Sequence, residues 1–436
     1  MRLNFSWIAT GNAVEMGCQW ALLVLLAHVG NLEMIGVVVL AFAVCAPLNA
    51  LAQLGLRSAV VTDARQEFQF GHYLALRLIT ATLALLAVAA IVFATGAYSE
   101  AALIILIVGI TEWFKSISDI FHALLQQHER MDRIAISQMI RGLSSLALLA
   151  LGVALTGQIA WGMAGFPLAA AATLLAFDLP NGSRMIRTAS AVQGNNSPGN
   201  SPCAGRLRPC FDAQTLTKLA WLTLPLGIVL MLIALTASVP RYMISHYLGN
   251  RSLGVFVSIF YLAMAGSRVV TAIGQSAGPR FAKYHVAGNT AAYVRLLVTL
   301  AALVAGLGVV VVLMVGLFGG AIFHLLYDAD FTRYGNLPVW LTLAGAVMYL
   351  TIPLGIAVEA KRRFKTHMVI RGAGVLVLVG LLPGLLARYG LEGAAVAMGI
   401  SFTCSMLGCL GVILWLLRHD LIPKQCSPQA GVEMPL

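Results

Sequence analysis

Charge is what this chain has least of. Only 10% of its 436 residues are charged, and acids, at 17, are rarer than bases, at 28. A soluble domain carries roughly 25% charged residues to cover its surface, so a water-soluble globular fold is excluded. The cysteines (Cys18, Cys45, Cys203, Cys210, Cys404, Cys409 and Cys426) include no CxxC pair. That argues against both a metal centre and a disulfide framework; they read as small apolar packing residues. P-loop, HExxH and GxSxG motifs are missing as well. Nothing therefore points to an enzyme, a cofactor or an ATP-driven pump. Transport, if this is a transporter, would draw on an ion gradient, the membrane potential or the substrate gradient.

What is present is apolar length. The chain is 59% hydrophobic with a mean hydropathy of +0.87, and its apolar runs approach the roughly 20 residues that cross a bilayer as a helix. Barrel strands would alternate; these runs are continuous. The runs predict an all-α integral membrane protein with spans at 8–28, 34–56, 74–95, 101–124, 140–157, 160–177, 219–240, 253–278, 293–317, 337–357, 369–387 and 394–417. The stretch 189–210, rich in Asn, Ser, Gly and Pro, reads as a flexible linker. It divides a six-helix bundle at 1–188 from a second at 211–418, with a tail at 419–436.

A net charge of +11 would suggest nucleic acid in a soluble protein. Here the bases lie between spans and set topology instead, so no nucleic-acid partner is expected. With the N-terminus inside, 22 of the 28 Lys and Arg fall in inside segments and 4 in outside segments. The positive-inside rule then puts both termini in the cytoplasm.

The halves resemble each other. Shifted by 218 residues, Gly36 meets Gly254, Phe42 meets Phe260, Ser58-Ala59 meets Ser276-Ala277 and Arg77-Leu78 meets Arg295-Leu296. Further on the offset becomes 230, and Ile140-Arg141-Gly142 meets Ile370-Arg371-Gly372. Six spans per half give parallel repeats, a transporter architecture with the substrate between the halves.

Ionisable groups within spans are costly, about 2.5–3.5 kcal/mol at the helix centre on insertion scales, so they face a cavity or a partner. Glu112, Lys115, Asp119 and His122 share one helical face, either as a self-neutralising ladder or as a cavity wall. His122 and Asp119 could also snorkel to the interface. Glu15 lies on a face with Asn12 and Gln19 and is a candidate protonation site unless a base on another helix pairs with it. Glu15, Glu112 and Asp119 are the candidates for ion coupling. Arg268 shares a face with Thr271 and Gln275, and the repeat-equivalent span carries Asn49 and Gln53. A permanent positive charge there suits an anion such as phosphate, unless Glu15 or Glu112 neutralises it. Arg241, after Pro240, and Lys115 complete the candidate substrate contacts.

Several stretches resemble the oligosaccharide flippases of bacterial polysaccharide biosynthesis: NFSW (4–7), GN (11–12), QW (19–20), TDARQEFQFGHYLALRL (62–78), PRYMI (240–244), LGVF (253–256) and GQSAGPRFAKY (274–284). The resemblance implies the multidrug/oligosaccharidyl-lipid/polysaccharide exporter superfamily, with two bundles around a V-shaped cavity that opens to alternate sides. It implies an undecaprenyl-pyrophosphate-linked oligosaccharide as substrate, carried across the cytoplasmic membrane for O-antigen or exopolysaccharide synthesis. Membrane lipid, a polysaccharide polymerase and chain-length proteins are the partners it would bring. A cation-coupled multidrug antiporter of the same fold is the alternative, and it would favour an acidic cavity.

Reporter fusions after residues 65, 133, 200, 283 and 365 are expected to report cytoplasm, and those after 98 and 330 periplasm, from the charge split. A periplasmic signal at 200 would break both the helix count and the repeat.

Overall fold

The computed structural model describes residues 2–29, 32–62, 68–94, 100–192, 208–327, 335–361 and 363–420. Among these every regular element is helical. The first half contains α1 (Arg2–Val29), α2 (Leu32–Gln53), α3 (Leu56–Thr62), α4 (Phe70–Ala94), α5 (Glu100–Gln127), α6 (Met131–Thr156), α7 (Ile159–Met163), α8 (Gly165–Thr173), a π turn (Leu174–Asp178) and α9 (Leu179–Val192). The second half contains α10 (Ala213–Val286), α11 (Thr290–Tyr327), α12 (Leu337–Ala360) and α13 (Phe364–Asp420).

Nine described segments are long and apolar enough to cross a membrane. Two of them, 213–261 and 365–418, run to 49 and 54 residues, more than the roughly 20 that one crossing needs. Each contains a break. Gly249 (φ 80°, ψ 169°) interrupts α10 and Gly390 (φ 58°, ψ −136°) interrupts α13, in backbone regions where a side chain is strained and glycine is not. With these breaks and α1, the architecture is that of about twelve crossings in two bundles. Large apolar side chains such as Leu86, Phe93, Leu155, Leu313, Leu317 and Leu376 are exposed around the outside, where lipid replaces water as solvent.

Three departures from the sequence-based expectation stand out. Helix α9 continues to Val192, so the first residues of the expected linker are helical; 193–207 and the tail from 421 lie outside the described residues. At the last residue of the expected linker, the N–H of Cys210 donates to Gly71 O of α4 (3.0 Å). Cys210 is also disulfide-bonded, contrary to the reading of all seven cysteines as packing residues. Its partner lies outside the described residues. Disulfides are rare in the cytosol, so the reporter at 200 bears on this bond too. Just beyond, Asp212 starts α10 by accepting from the Thr215 N–H (3.3 Å) and hydroxyl, which holds its carboxylate below the usual range.

The halves are joined mainly by α2 and α10. Ile35, Val38, Ala41 and Cys45 share a core with Ile244, Val255, Phe256 and Ile259. At Gly36 a Cβ would lie 1.9 Å from Asn250 O, so only glycine allows the two backbones to meet there. At the other end of α2, Gly227 packs on Leu54, and Leu219 joins Leu56, Tyr73 and Ile120. Packing within the halves is related by the repeat: Gly142 of α6 sits against Cys18 and Glu15 of α1, and Gly372 of α13 approaches Leu232 of α10.

Asp119 ties one end of the first half together. Its carboxylate accepts from Arg57 of α3 (3.1 Å) and Arg77 of α4 (3.2 Å), and Arg77 is fully buried. Beside it His122 is buried, 3.0 Å from Ser137 Oγ and 3.4 Å from Asp178 of the π turn. The expected face of α5 is therefore no self-contained ladder: only Glu112 and Lys115 pair within it, and His122 does not snorkel. Removing one partner of a buried pair costs about 3–5 kcal/mol. Asp119→Ala is thus expected to lower the thermal midpoint of the purified protein sharply, and adding Arg77→Met to restore part of it. An unchanged midpoint in Asp119→Ala would contradict the structural role.

Candidate functional site

A cavity of about 260 Å³ opens among α1, α2, α5, α6 and α8, and Tyr261 of α10 closes one side. Its polar wall holds Glu15, Gln19, Thr111, Glu112, Lys115, Arg141 and Ser145; Leu22, Val38, Phe42, Leu146 and Phe166 supply the apolar wall. The long apolar helices explain the position: each polar residue is a single interruption in a run that otherwise faces core or lipid.

Two ion pairs face this space. Arg141 donates through one terminal nitrogen to Glu15 (3.4 Å). Lys115 donates to Glu112 (2.7 Å), whose other oxygen accepts from Asn49 Nδ2 (3.2 Å). The polar wall thus carries two formal negative and two formal positive charges. Arg141–Glu15 links α6 to α1, and Asn49–Glu112 links α2 to α5. Glu15, which the sequence left with an open partner, is paired with a base on another helix.

The other sequence-derived candidates are dispersed. Asn49 is buried behind Glu112, while Gln53, one turn further along α2, is half-buried and outside the cavity lining. Asp119 also stands outside it, held by Arg57 and Arg77. The Thr271 hydroxyl donates to Ser267 O (2.8 Å) on its own helix. Arg241 is half-buried at the α2–α10 contact, where the neighbouring Tyr242 hydroxyl donates to Ala43 O. Arg268 and Gln275 belong to α10, and their side chains lie outside the described residues.

The sequence reading missed Arg141 as a site residue. A span starting at 140 puts Arg141 at its inside edge, whereas α6 begins at Met131. At 1.5 Å per residue that puts Arg141 about 15 Å into the helix. The repeat match Ile140-Arg141-Gly142 was the available signal. Phe42 offered only its repeat match with Phe260, and Phe166 and Tyr261 carried no signal, since aromatics on apolar faces are ordinarily core.

Two broken long helices, an α2–α10 seam and a charged cavity inside an apolar bundle define the class: a two-lobed, multi-pass membrane protein with the fold of the MOP-superfamily transporters. A MATE-family multidrug resistance transporter in an inward-facing conformation aligns with 96% of this chain and 96% of its own at 14% identity and a TM-score of 0.70. The multidrug transporter DinF-BH gives 0.71 at 14% identity over 97% and 96%. A MOP-superfamily transporter from Pyrococcus furiosus gives 0.62 at 15% identity over 96% and 95%. The chain belongs to the polysaccharide biosynthesis protein family, whose model matches residues 2–285. It is 20% identical over 398 residues to the capsular polysaccharide biosynthesis protein CapF of Staphylococcus aureus, covering 91% of this chain and 95% of that one.

Cys18 lines the cavity and is half-buried, whereas Cys45 is buried in the α2–α10 core. In the folded protein, a variant retaining only Cys18 is expected to react with a small maleimide, and one retaining only Cys45 to react after unfolding alone. Equal labelling of the two in the folded state would contradict the cavity.

Proposed function

We propose that this protein is a flippase for diphosphate-linked oligosaccharide lipids of polysaccharide synthesis, acting in the bacterial cytoplasmic membrane with both termini in the cytoplasm. The observation that carries the reading is the pairing of each cavity cation with a carboxylate: Arg141 with Glu15 and Lys115 with Glu112. A phosphate oxygen is the same kind of acceptor as a carboxylate oxygen. A diphosphate can therefore take over these cations once the carboxylates are neutralised. Arginine keeps its charge throughout, so a proton or cation at Glu15 frees the guanidinium without discharging it. Ion coupling and headgroup capture become one competition, with Glu15 and Glu112 as the coupling groups. We assign Asp119 to packing rather than coupling.

Membership in the polysaccharide biosynthesis family and the capsular relative support a sugar-bearing substrate. Gln19 and Ser145 of the lining offer hydrogen bonds for it; Asn49 and Gln53, which stand outside that lining, and Arg268, Arg241, Thr271 and Gln275 of α10 remain proposed contacts elsewhere along the path. Among the described residues α1 packs on α6 with almost no close approach to α10, and its Thr10, Ala13 and Gly17 are exposed. That side leaves room for a polyprenyl tail in lipid while the headgroup crosses. The multidrug-antiporter reading fits the fold neighbours, but its acidic cavity is not what the balanced lining resembles.

The test is complementation of a deletion strain at matched protein levels, reading the lipid-linked intermediate that accumulates. Arg141→Ala and Arg268→Ala are each expected to reduce transport roughly 10- to 100-fold, the worth of a charge-assisted hydrogen bond. Glu15→Gln is expected to keep headgroup capture but flatten the dependence on the ion gradient. Full activity of both arginine variants would sink the anion reading. Recovery in Arg141→Ala with Glu15→Gln would make Arg141 a structural counter-ion.

A further inference from the structure

The repeat that pairs Arg141 with Arg371 does not preserve their surroundings. Arg141 spends a terminal nitrogen on Glu15 of α1. The 218-residue offset maps Glu15 to Ile233 of α10, so the second half has no acid at that place. Gly372, next to Arg371, instead approaches Leu232. Arg371 is anchored differently. Its Nε donates to His367 Nε2 (3.2 Å), and His367 Nδ1 lies 3.0 Å from Glu359 Oε1.

Donor chemistry fixes the proton in this relay. A guanidinium N–H can only donate, so His367 Nε2 must accept with its lone pair. The imidazole hydrogen is then on Nδ1 and points to Glu359. The ring is neutral and its tautomer is set at both ends. His367 is buried at 2% exposure, so the relay is also held in place by packing. It starts at a partly exposed carboxylate where α12 ends and finishes on an arginine two turns into α13.

Two consequences follow for Arg371. Using Nε for orientation leaves the terminal nitrogens, which form the outward end of the fork, without an acceptor among the described residues. No described carboxylate comes within ion-pair distance of them. Gly355 lets the relay pack against α12: a Cβ there would meet His367 Nε2 at 3.1 Å and an Arg371 terminal nitrogen at 3.6 Å. The corresponding position in the first half, at the 230-residue offset, is Leu125. A half-buried, pre-oriented guanidinium with a free end suits bidentate capture of a phosphate group.

We propose that Arg371 is a further phosphate-binding residue, held ready by the Glu359–His367 pair, that receives the substrate's diphosphate in the second half of the protein. The inference rests on the flippase reading. The two halves then have distinct tasks. Arg141 must be released from Glu15 before it can take a phosphate, while Arg371 needs no release. His367 and Glu359 act through Arg371 and are positioning residues.

The test uses the full chain in phosphatidylcholine nanodiscs and undecaprenyl diphosphate as the probe, with binding read by tryptophan fluorescence and by the ligand-induced rise in thermal midpoint. Arg371→Ala is expected to bind roughly 10- to 100-fold more weakly, the worth of a charge-assisted contact. Arg371→Lys, which keeps the charge and loses the fork, should fall in between, and His367→Leu should weaken binding less than Arg371→Ala. A purely structural role would lower the midpoint without ligand but leave the ligand-induced rise intact, and that result overturns the proposal. So does wild-type affinity in both Arg371 variants. If phosphatidylglycerol competes as well as the diphosphate lipid does, Arg371 recognises lipid phosphate in general and its assignment to substrate fails. Absence of diphosphate binding in the wild type would instead remove the flippase reading itself.

Discussion

An ionised side chain inside an apolar helix bundle has to be matched by an opposite charge or a polar partner, because lipid and hydrocarbon side chains offer none. Much of this structure follows from how that demand is met. Asp119 meets it for Arg57 and Arg77 and thereby fixes α3, α4 and α5 to one another. Glu15 and Arg141 meet it across α1 and α6, and Glu112 and Lys115 within α5. The first group lies outside the cavity lining and the other two face it. That difference of place separates packing from chemistry: a pair that lines a cavity can exchange its partner for a ligand held there, and a pair outside the lining has no such space beside it.

The exchange needs two lobes that are joined and still separable. Joining is concentrated in the α2–α10 seam, where Gly36 lets backbone meet backbone and aliphatic side chains close the gap between them. Gly249 and Gly390 break the longest helices, so successive crossings are coupled through a single residue in a conformation that glycine alone adopts easily. Rigid bundles with few joints are the usual parts of alternating access, in which one repeat rocks against the other around a fixed site.

Much of this was legible in the chain alone. Continuous apolar runs announced helices, and the repeat announced two related halves. Glu15, Glu112 and Lys115 stood out because charge in such runs is rare, and all three line the cavity. What was hidden depended on pairing across helices. Asp119 shares a helical face with Glu112, yet its partners come from α3 and α4, more than forty positions away in the chain. Arg141 looked like the edge of a span because a charge invites a boundary there, whereas the helix continues past it in both directions. The Cys210 disulfide had no spacing pattern to announce it. The breaks at Gly249 and Gly390 fell inside segments expected to be loops, where a glycine attracts no notice.

The central claim is that the cavity cations carry a diphosphate-linked lipid from one leaflet to the other. It is tested most directly with purified protein in liposomes holding a fluorescent diphosphate-linked oligosaccharide lipid in one leaflet, by following the appearance of label in the opposite leaflet. The account predicts protein-dependent translocation that responds to an imposed ion gradient. Translocation no faster than in protein-free liposomes, together with gradient-driven movement of a cationic dye by the same protein, would contradict it.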